Sequence, residues 1–168
     1  MSTSSLLTSL FHYKAWANDE LFAQVARIDP LLHQSELHTA IRLMNHIHVV
    51  DRIFAAHLSG ASHSFTASNT AETPSLEQLR TTVGQTDRWY IDKVAQCTPQ
   101  ELAEIIAFTF TDGSAARMSR EEMLAHVITH GGYHRGAVGR ILSQLSITPP
   151  RDVFSGYLHQ AEPGRRSL

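Results

Sequence analysis

The sequence predicts an all-α protein, a four-helix bundle with one short β-hairpin between its third and fourth helices. Two observations carry that prediction. Four stretches of some twenty residues repeat apolar side chains at three- and four-residue spacing, and strand-like alternation is confined to one short segment. The chain has 168 residues, 42% of them apolar and 18% charged, which is ample for one buried core. No internal repeat or linker divides it, so residues 1–168 read as a single domain.

In the first helix, from Ser5 to Ile28, the apolar stripe is Leu6, Leu10, Tyr13, Ala17, Leu21 and Val25, and Asp29-Pro30 closes it. The second runs from about Ser35 to Leu58 on Leu37, Ile41, Met44, Ile47, Val50, Phe54 and Leu58, and stops at Gly60. Residues 61–73 are rich in Ser, Thr, Ala and Asn without a period and read as a surface loop. Thr73-Pro74 then offers an N-cap and a first-turn proline for a third helix ending near Cys97. Between Ile105 and Met118, Ile106, Phe108 and Phe110 alternate with Ala107, Thr109 and Thr111 around Asp112-Gly113, which signals the hairpin. Ser119 and Glu122 form a capping box that starts the fourth helix; it runs through Leu145 and must end before Pro149-Pro150. The tail, RDVFSGYLHQ, adds a short turn ahead of a disordered end.

A net charge of -2, with no basic run longer than Arg165-Arg166, lacks the electrostatic footprint of a nucleic-acid-binding surface. The one cysteine, Cys97, excludes a disulfide framework or a cysteine-based metal cluster within the chain and fits a reducing cytoplasm. With no basic leader and no run of eighteen apolar residues, the chain reads as neither exported nor membrane-spanning.

Eleven histidines are the unusual number, and they invite a metal or acid–base reading. His33, His38, His63 and His159 lie in polar, loop-like surroundings and read as surface residues. The fourth helix carries His126, His130 and His134 in the string HVITHGGYHRG. Two imidazoles four residues apart lie about 40° apart around the axis and roughly 6 Å apart along it, so they can share one ion, whereas three in a row are too spread. On the helical wheel His130 and His134 face the bundle interior best. A third ligand must come from another helix, and the second offers His46, His48 and His57. His46 and His48 point about 200° apart, so both cannot face the fourth helix, and the wheel does not choose between them. His46 and His57 are separated by roughly 16 Å along the axis, too far to serve one ion. Gly132, Gly136, Gly139 and Ser143 give the fourth helix one smooth side, suited to close approach of another helix or a second subunit.

The segments YKAWANDELF, MNHIHVVDRIFAAHLSG, FTFTDG, SREEMLAHVITHGGYHRGAVGRIL and PPRDVFSGYL occur in order along nearly the whole chain. Together they resemble the DinB/YfiT-like proteins, the damage-inducible family of helical bundles. In that family a histidine preceding I-x-V-x-D-R on the second helix joins two histidines of an H-x-x-x-H-R-G string on the fourth. The resemblance therefore implies His46, His130 and His134 as a metal triad, with His48 an extra histidine of this sequence. Ala137 departs from the glutamine that many relatives carry after H-R-G, so any polar role of that glutamine is missing. Family members include transferases and isomerases that use low-molecular-weight thiols other than glutathione. Homodimers are common in such families, and a homodimer is expected here.

Three imidazoles would leave a divalent ion its full charge and open positions, suited to lowering the pKa of a bound thiol or water. The first reading is thus a metal-dependent enzyme that transfers a small thiol to an electrophile in stress or detoxification chemistry, with the substrate thiol as nucleophile. A metal-dependent hydrolase activating water is the second, and a non-catalytic bundle stabilised by its metal is the third. Zinc is the default ion and nickel the alternative, since imidazole suits both. His126 and Tyr133 are candidates to orient substrate or donate a proton, and Asp51 to hydrogen-bond a ligand imidazole. Packing competes as the role of the first two, and an ion pair with Arg52 or another bundle residue as that of Asp51. Arg135 reads as a structural salt-bridge residue, and Trp16 and Asn18 as helix packing with one polar anchor.

Overall fold

Capping chemistry and apolar periodicity divide the chain into the elements of the computed structural model, which describes residues 3–166. They are α1 (Thr3–Val25), α2 (Gln34–Leu58), α3 (Leu76–Gln96), a one-turn α4 (Pro99–Leu102), strands β1 (Ile105–Thr109) and β2 (Ala115–Ser119), α5 (Arg120–Gln144) and α6 (Phe154–Ala161). A 3-10 turn, Pro163–Arg166, follows. α1 packs on α3 and α5, and α2 packs on α5 and α3, giving the expected four-helix bundle. β1 and β2 pair antiparallel with Phe108 opposite Ala116, so the hairpin lies between α3 and α5 as the alternation indicated.

Three capping boxes set helix starts. Ser119 and Glu122 begin α5 as the sequence implied. α3 begins two residues later than expected: Ser75, not Thr73, is the cap, because its hydroxyl accepts from Gln78 N while the Gln78 side chain accepts from Ser75 N. Pro74 stays outside the helix. The same exchange between Thr98 and Glu101 makes α4, which the sequence reading passed over. The tail is also more ordered than a single turn. Asp152 accepts from Arg135 Nε at 2.7 Å and from Tyr13 Oη, and Phe154 and Tyr157 then pack their rings on Tyr13. Residues 167–168 of the expected disordered end lie outside the described residues. The smooth side of α5 is met within the chain at one point, where a Cβ on Gly139 would stand 3.5 Å from Pro149.

The core is layered. Leu7, Phe11, Phe54, Tyr90, Met123 and Val127 belong to one apolar cluster, and Leu21, Val25, Met44, Leu79, Val138 and Leu142 to another. On every long helix the residues between these clusters are polar and buried: Lys14 and Asn18 on α1, His48 and Asp51 on α2, Asp87 on α3, Arg135 on α5. Lys14, with no exposed surface, donates to Asp51 Oδ2 at 2.7 Å and Asp87 Oδ1 at 2.8 Å. Asn18 Nδ2 donates to Asp87 Oδ2 at 2.8 Å, and Arg135 Nη1 donates to Asn18 Oδ1 at 3.3 Å. Tyr90, stacked on Phe11, donates its hydroxyl to the Asp51 carbonyl at 2.6 Å. Among the described residues no helix is long and apolar enough to cross a membrane.

Removing one member of this belt strands the others. Asp87→Ala leaves Lys14 with one carboxylate and Asn18 Nδ2 without its acceptor, and is expected to cost about 3–5 kcal/mol in urea unfolding. Ser119→Ala, which deletes only a cap, costs about 1 kcal/mol. Equal midpoint shifts for the two variants would contradict the ranking. Burial outweighs the pull of Lys14 and pushes the Asp51 carboxyl up to about 6. The folded protein then holds that proton more tightly than the unfolded chain. Its favourable contribution is complete below the ordinary carboxylate pKa of 3.8 and is lost as pH rises through about 6. Wild type should therefore lose stability relative to Asp51→Asn across that window, and parallel stability–pH curves for the two proteins would count against it.

Candidate metal centre

At the level of the polar belt, α2 and α5 turn histidines toward each other. The helices meet at Gly131: a Cβ there would stand in ordinary contact with Lys14 Cε at 3.5 Å and Ile47 Cγ2 at 3.8 Å, and tightly only against Arg135 Nη1 of its own helix, at 3.1 Å. The residues just before this contact are His130 and His46, and their Nε2 atoms lie 3.0 Å apart. His134, one turn further along α5, completes the group, in which one nitrogen from each ring lies within 4.8 Å of the others. All three rings are half-buried rather than interior. The interior positions of α5 at this level belong to Gly131 and Arg135, so the wheel had turned the histidines too far inward.

The loop between α2 and α3 sets the tautomer. His46 Nδ1 lies 2.7 Å from the Ser68 carbonyl, which only accepts, so Nδ1 carries the proton and Nε2 presents a lone pair to the other rings. That carbonyl is held by its neighbours. Asn45 donates to Asn69 Oδ1 and to Thr70 Oγ1, Asn69 Nδ2 donates to the Arg42 carbonyl at 3.0 Å, and Arg42 Nη1 donates to the Thr70 carbonyl at 2.7 Å. Burial first, then His134, His46, His126 and Lys14, hold His130 down at about 3; burial and His46 also lower His134. Both rings are therefore neutral at pH 7, with nitrogen lone pairs free for a ligand.

This arrangement can hold a metal ion. Nitrogens about 2.0–2.1 Å from a tetrahedral zinc stand about 3.3 Å apart, close to the His46–His130 separation, and a hydrogen bond from the remote ring nitrogen to a carbonyl is the usual support of a histidine ligand. The group contains no carboxylate or thiolate.

The other predicted residues divide. His126 stacks at 5.4 Å from His130 and 4.7 Å from Phe54, beside the group. Tyr133 is 79% exposed and meets His134 edge-on at 5.1 Å, so it borders the site from solvent. Asp51 is taken up by Lys14 and hydrogen-bonds neither an imidazole nor Arg52. His48 is buried in the belt, away from the triad, and burial followed by Arg52 and Lys14 holds it at about 4. His57 pairs with His63, ring centres 5.1 Å apart, so His63 is half-buried rather than a free surface residue. Arg135 makes the expected structural ion pair, with Asp152, and Asn18 is the polar anchor. Sequence reasoning missed the Ser68 carbonyl, because a backbone acceptor leaves no side-chain signature; Asn45, a buried amide beside a candidate ligand, was the one available hint.

Comparison with known proteins agrees with this architecture. Protein DinB of Bacillus subtilis (strain 168) is 20% identical over 165 residues, which covers 92% of this chain and 95% of that protein. No solved structure matches the chain. The model of the DinB family matches residues 1–165, and the chain belongs to that family.

Proposed function

We propose that this protein is a metal-dependent enzyme that activates a low-molecular-weight thiol for transfer to an electrophile, in cytoplasmic stress or detoxification chemistry. His46, His130 and His134 are its ligands for a divalent transition ion, with zinc as the default and nickel the alternative. The observation that carries this reading is the convergence of three imidazoles, one of them locked by Ser68 in the tautomer that presents Nε2 inward. An ion bound by neutral ligands alone keeps its full charge and supplies Lewis acidity, enough to bring the pKa of a coordinated thiol toward neutrality.

The residues of the chain then have distinct tasks. His46, His130 and His134 hold the ion, while Ser68 orients His46. The nucleophile must come from the substrate, because the one cysteine cannot serve. Cys97 caps α3, is buried, donates to the Lys93 carbonyl at 3.3 Å, and has its thiol pushed up by burial.

Two measurements test the reading. Metal analysis of protein prepared without a nickel column should give about one ion per chain, lost in His46→Ala and His134→Ala and retained in His48→Ala. Retention in all three variants would remove the triad. Cobalt-loaded protein titrated with 2-mercaptoethanol should then develop a thiolate-to-cobalt charge-transfer band. A cobalt spectrum indifferent to thiol, together with ester turnover in its absence, would replace thiol transfer by water activation.

A further inference from the structure

Beside the triad lies a small cavity of about 230 Å³, and one of its walls is the ligand His130. The remaining walls are chiefly aromatic. Phe54 and Phe108 stand 5.8 Å apart, Phe108 and Phe110 5.0 Å, and His126 stacks on Phe54 and reaches His130. Val50 and Ile53 of α2 complete the apolar lining. No lysine, arginine, aspartate or glutamate lines it. Four larger cavities, of about 540 Å³ beside Arg52 and Trp89, 560 Å³ beside Trp16 and α6, 540 Å³ along the hairpin and 350 Å³ beside Gly139 and Pro149, include none of the three histidines.

The hairpin explains why the slot exists. Phe108 on β1 points into the bundle and is buried, whereas Phe110, two residues on and past the strand end, is 44% exposed. Phe110 stands at the edge of the slot, within reach of both solvent and the half-buried histidines.

We infer that the slot receives an uncharged aromatic or short alkyl group of the electrophilic substrate, holding its reactive carbon beside the metal centre. This inference rests on the triad binding an ion as proposed above. The slot has room for a phenyl ring or a short alkyl chain, since an apolar cavity of about 150 Å³ already takes up benzene. Small cellular thiols carry carboxylate or ammonium groups, for which the walls offer no charged partner, so the thiol approaches from the solvent side and the electrophile fills the slot. The hairpin is thereby a specificity element, with Phe110 its most accessible ring.

Hydroxamates, which couple a metal-binding head to a variable group, test this by calorimetry on the zinc-loaded protein. Benzohydroxamate should bind about tenfold or more tighter than acetohydroxamate, as expected for burying a ring. para-Carboxybenzohydroxamate should lose that gain, and Phe110→Ala should lower the benzohydroxamate gain while leaving acetohydroxamate unchanged. Equal affinities for the two parent hydroxamates, with zinc bound throughout, would overturn the slot and leave the metal reading standing. If the protein takes up no zinc, the metal reading fails instead, and toluene titrated into the metal-free protein decides the slot. Shifts of the Val50 and Ile53 methyl resonances that weaken in Phe110→Ala support it, and unmoved methyls overturn it.

Discussion

Lys14 carries its charge into the middle of the bundle, and the packing of four helices depends on what meets it there. An ammonium with no exposed surface costs several kcal/mol unless paired. Two carboxylates meet it, one on α2 and one on α3, and Asn18 and Arg135 extend the hydrogen bonds to α5 and to the Asp152 segment. Apolar clusters on either side would tolerate sliding by a turn, because leucines and valines exchange neighbours at small cost. The polar belt does not tolerate it, since a slip of one turn would part Lys14 from its carboxylates and Asn18 from Asp87. We attribute the register of the helices to this belt and the bulk of the burial energy to the clusters.

The histidine group inherits its geometry from that register. α5 passes Lys14 and Ile47 closely at Gly131, where a Cβ would sit in ordinary contact with both, and this crossing sets His130 beside His46. The same proximity has an electrostatic consequence. Lys14 is among the charges that disfavour a proton on His130, after burial and the neighbouring imidazoles. Burial therefore keeps the ring neutral, the state a metal ligand requires, and the buried cation adds to it in the same direction.

Much of this was legible in the sequence, and the errors over which helix faces point inward share a cause. The four long helices, the hairpin and the Ser119 capping box follow from periodicity and local hydrogen-bonding chemistry. In α1, however, the buried face is Leu7, Phe11, Lys14, Ala17, Asn18, Leu21, Phe22 and Val25, so the expected stripe holds at Ala17, Leu21 and Val25 and fails at Leu6, Leu10 and Tyr13. Polar residues at two core positions made the true stripe look broken, and a purely apolar neighbour looked better; Leu6 is in fact 41% exposed. The same bias displaced Arg135 and Gly131 from the inward face of α5 and moved the histidines onto it. A wheel ranks faces by hydrophobicity, so it errs where a core contains paired charges. The choice of His46 over His48 came from family resemblance and not from the wheel, and the structure separates them by burying His48 within the belt.

The three structural layers around the site answer to different constraints. Helices α2 and α5 determine how far apart the imidazoles stand, and those helices are held by the belt. The loop after α2 determines which nitrogen of His46 faces inward, through one carbonyl and a set of amide contacts that lie largely outside the core. The hairpin supplies rings beside His130 and is anchored in the core chiefly by Phe108, with Ile106 and Met118 packed against it. Changes in the hairpin can therefore alter what fits beside the histidines while the belt and the ligand spacing persist. Such a division lets one bundle keep its histidine spacing and vary the rings beside it, because the energy that orders the three imidazoles lies in the helices and not in the hairpin.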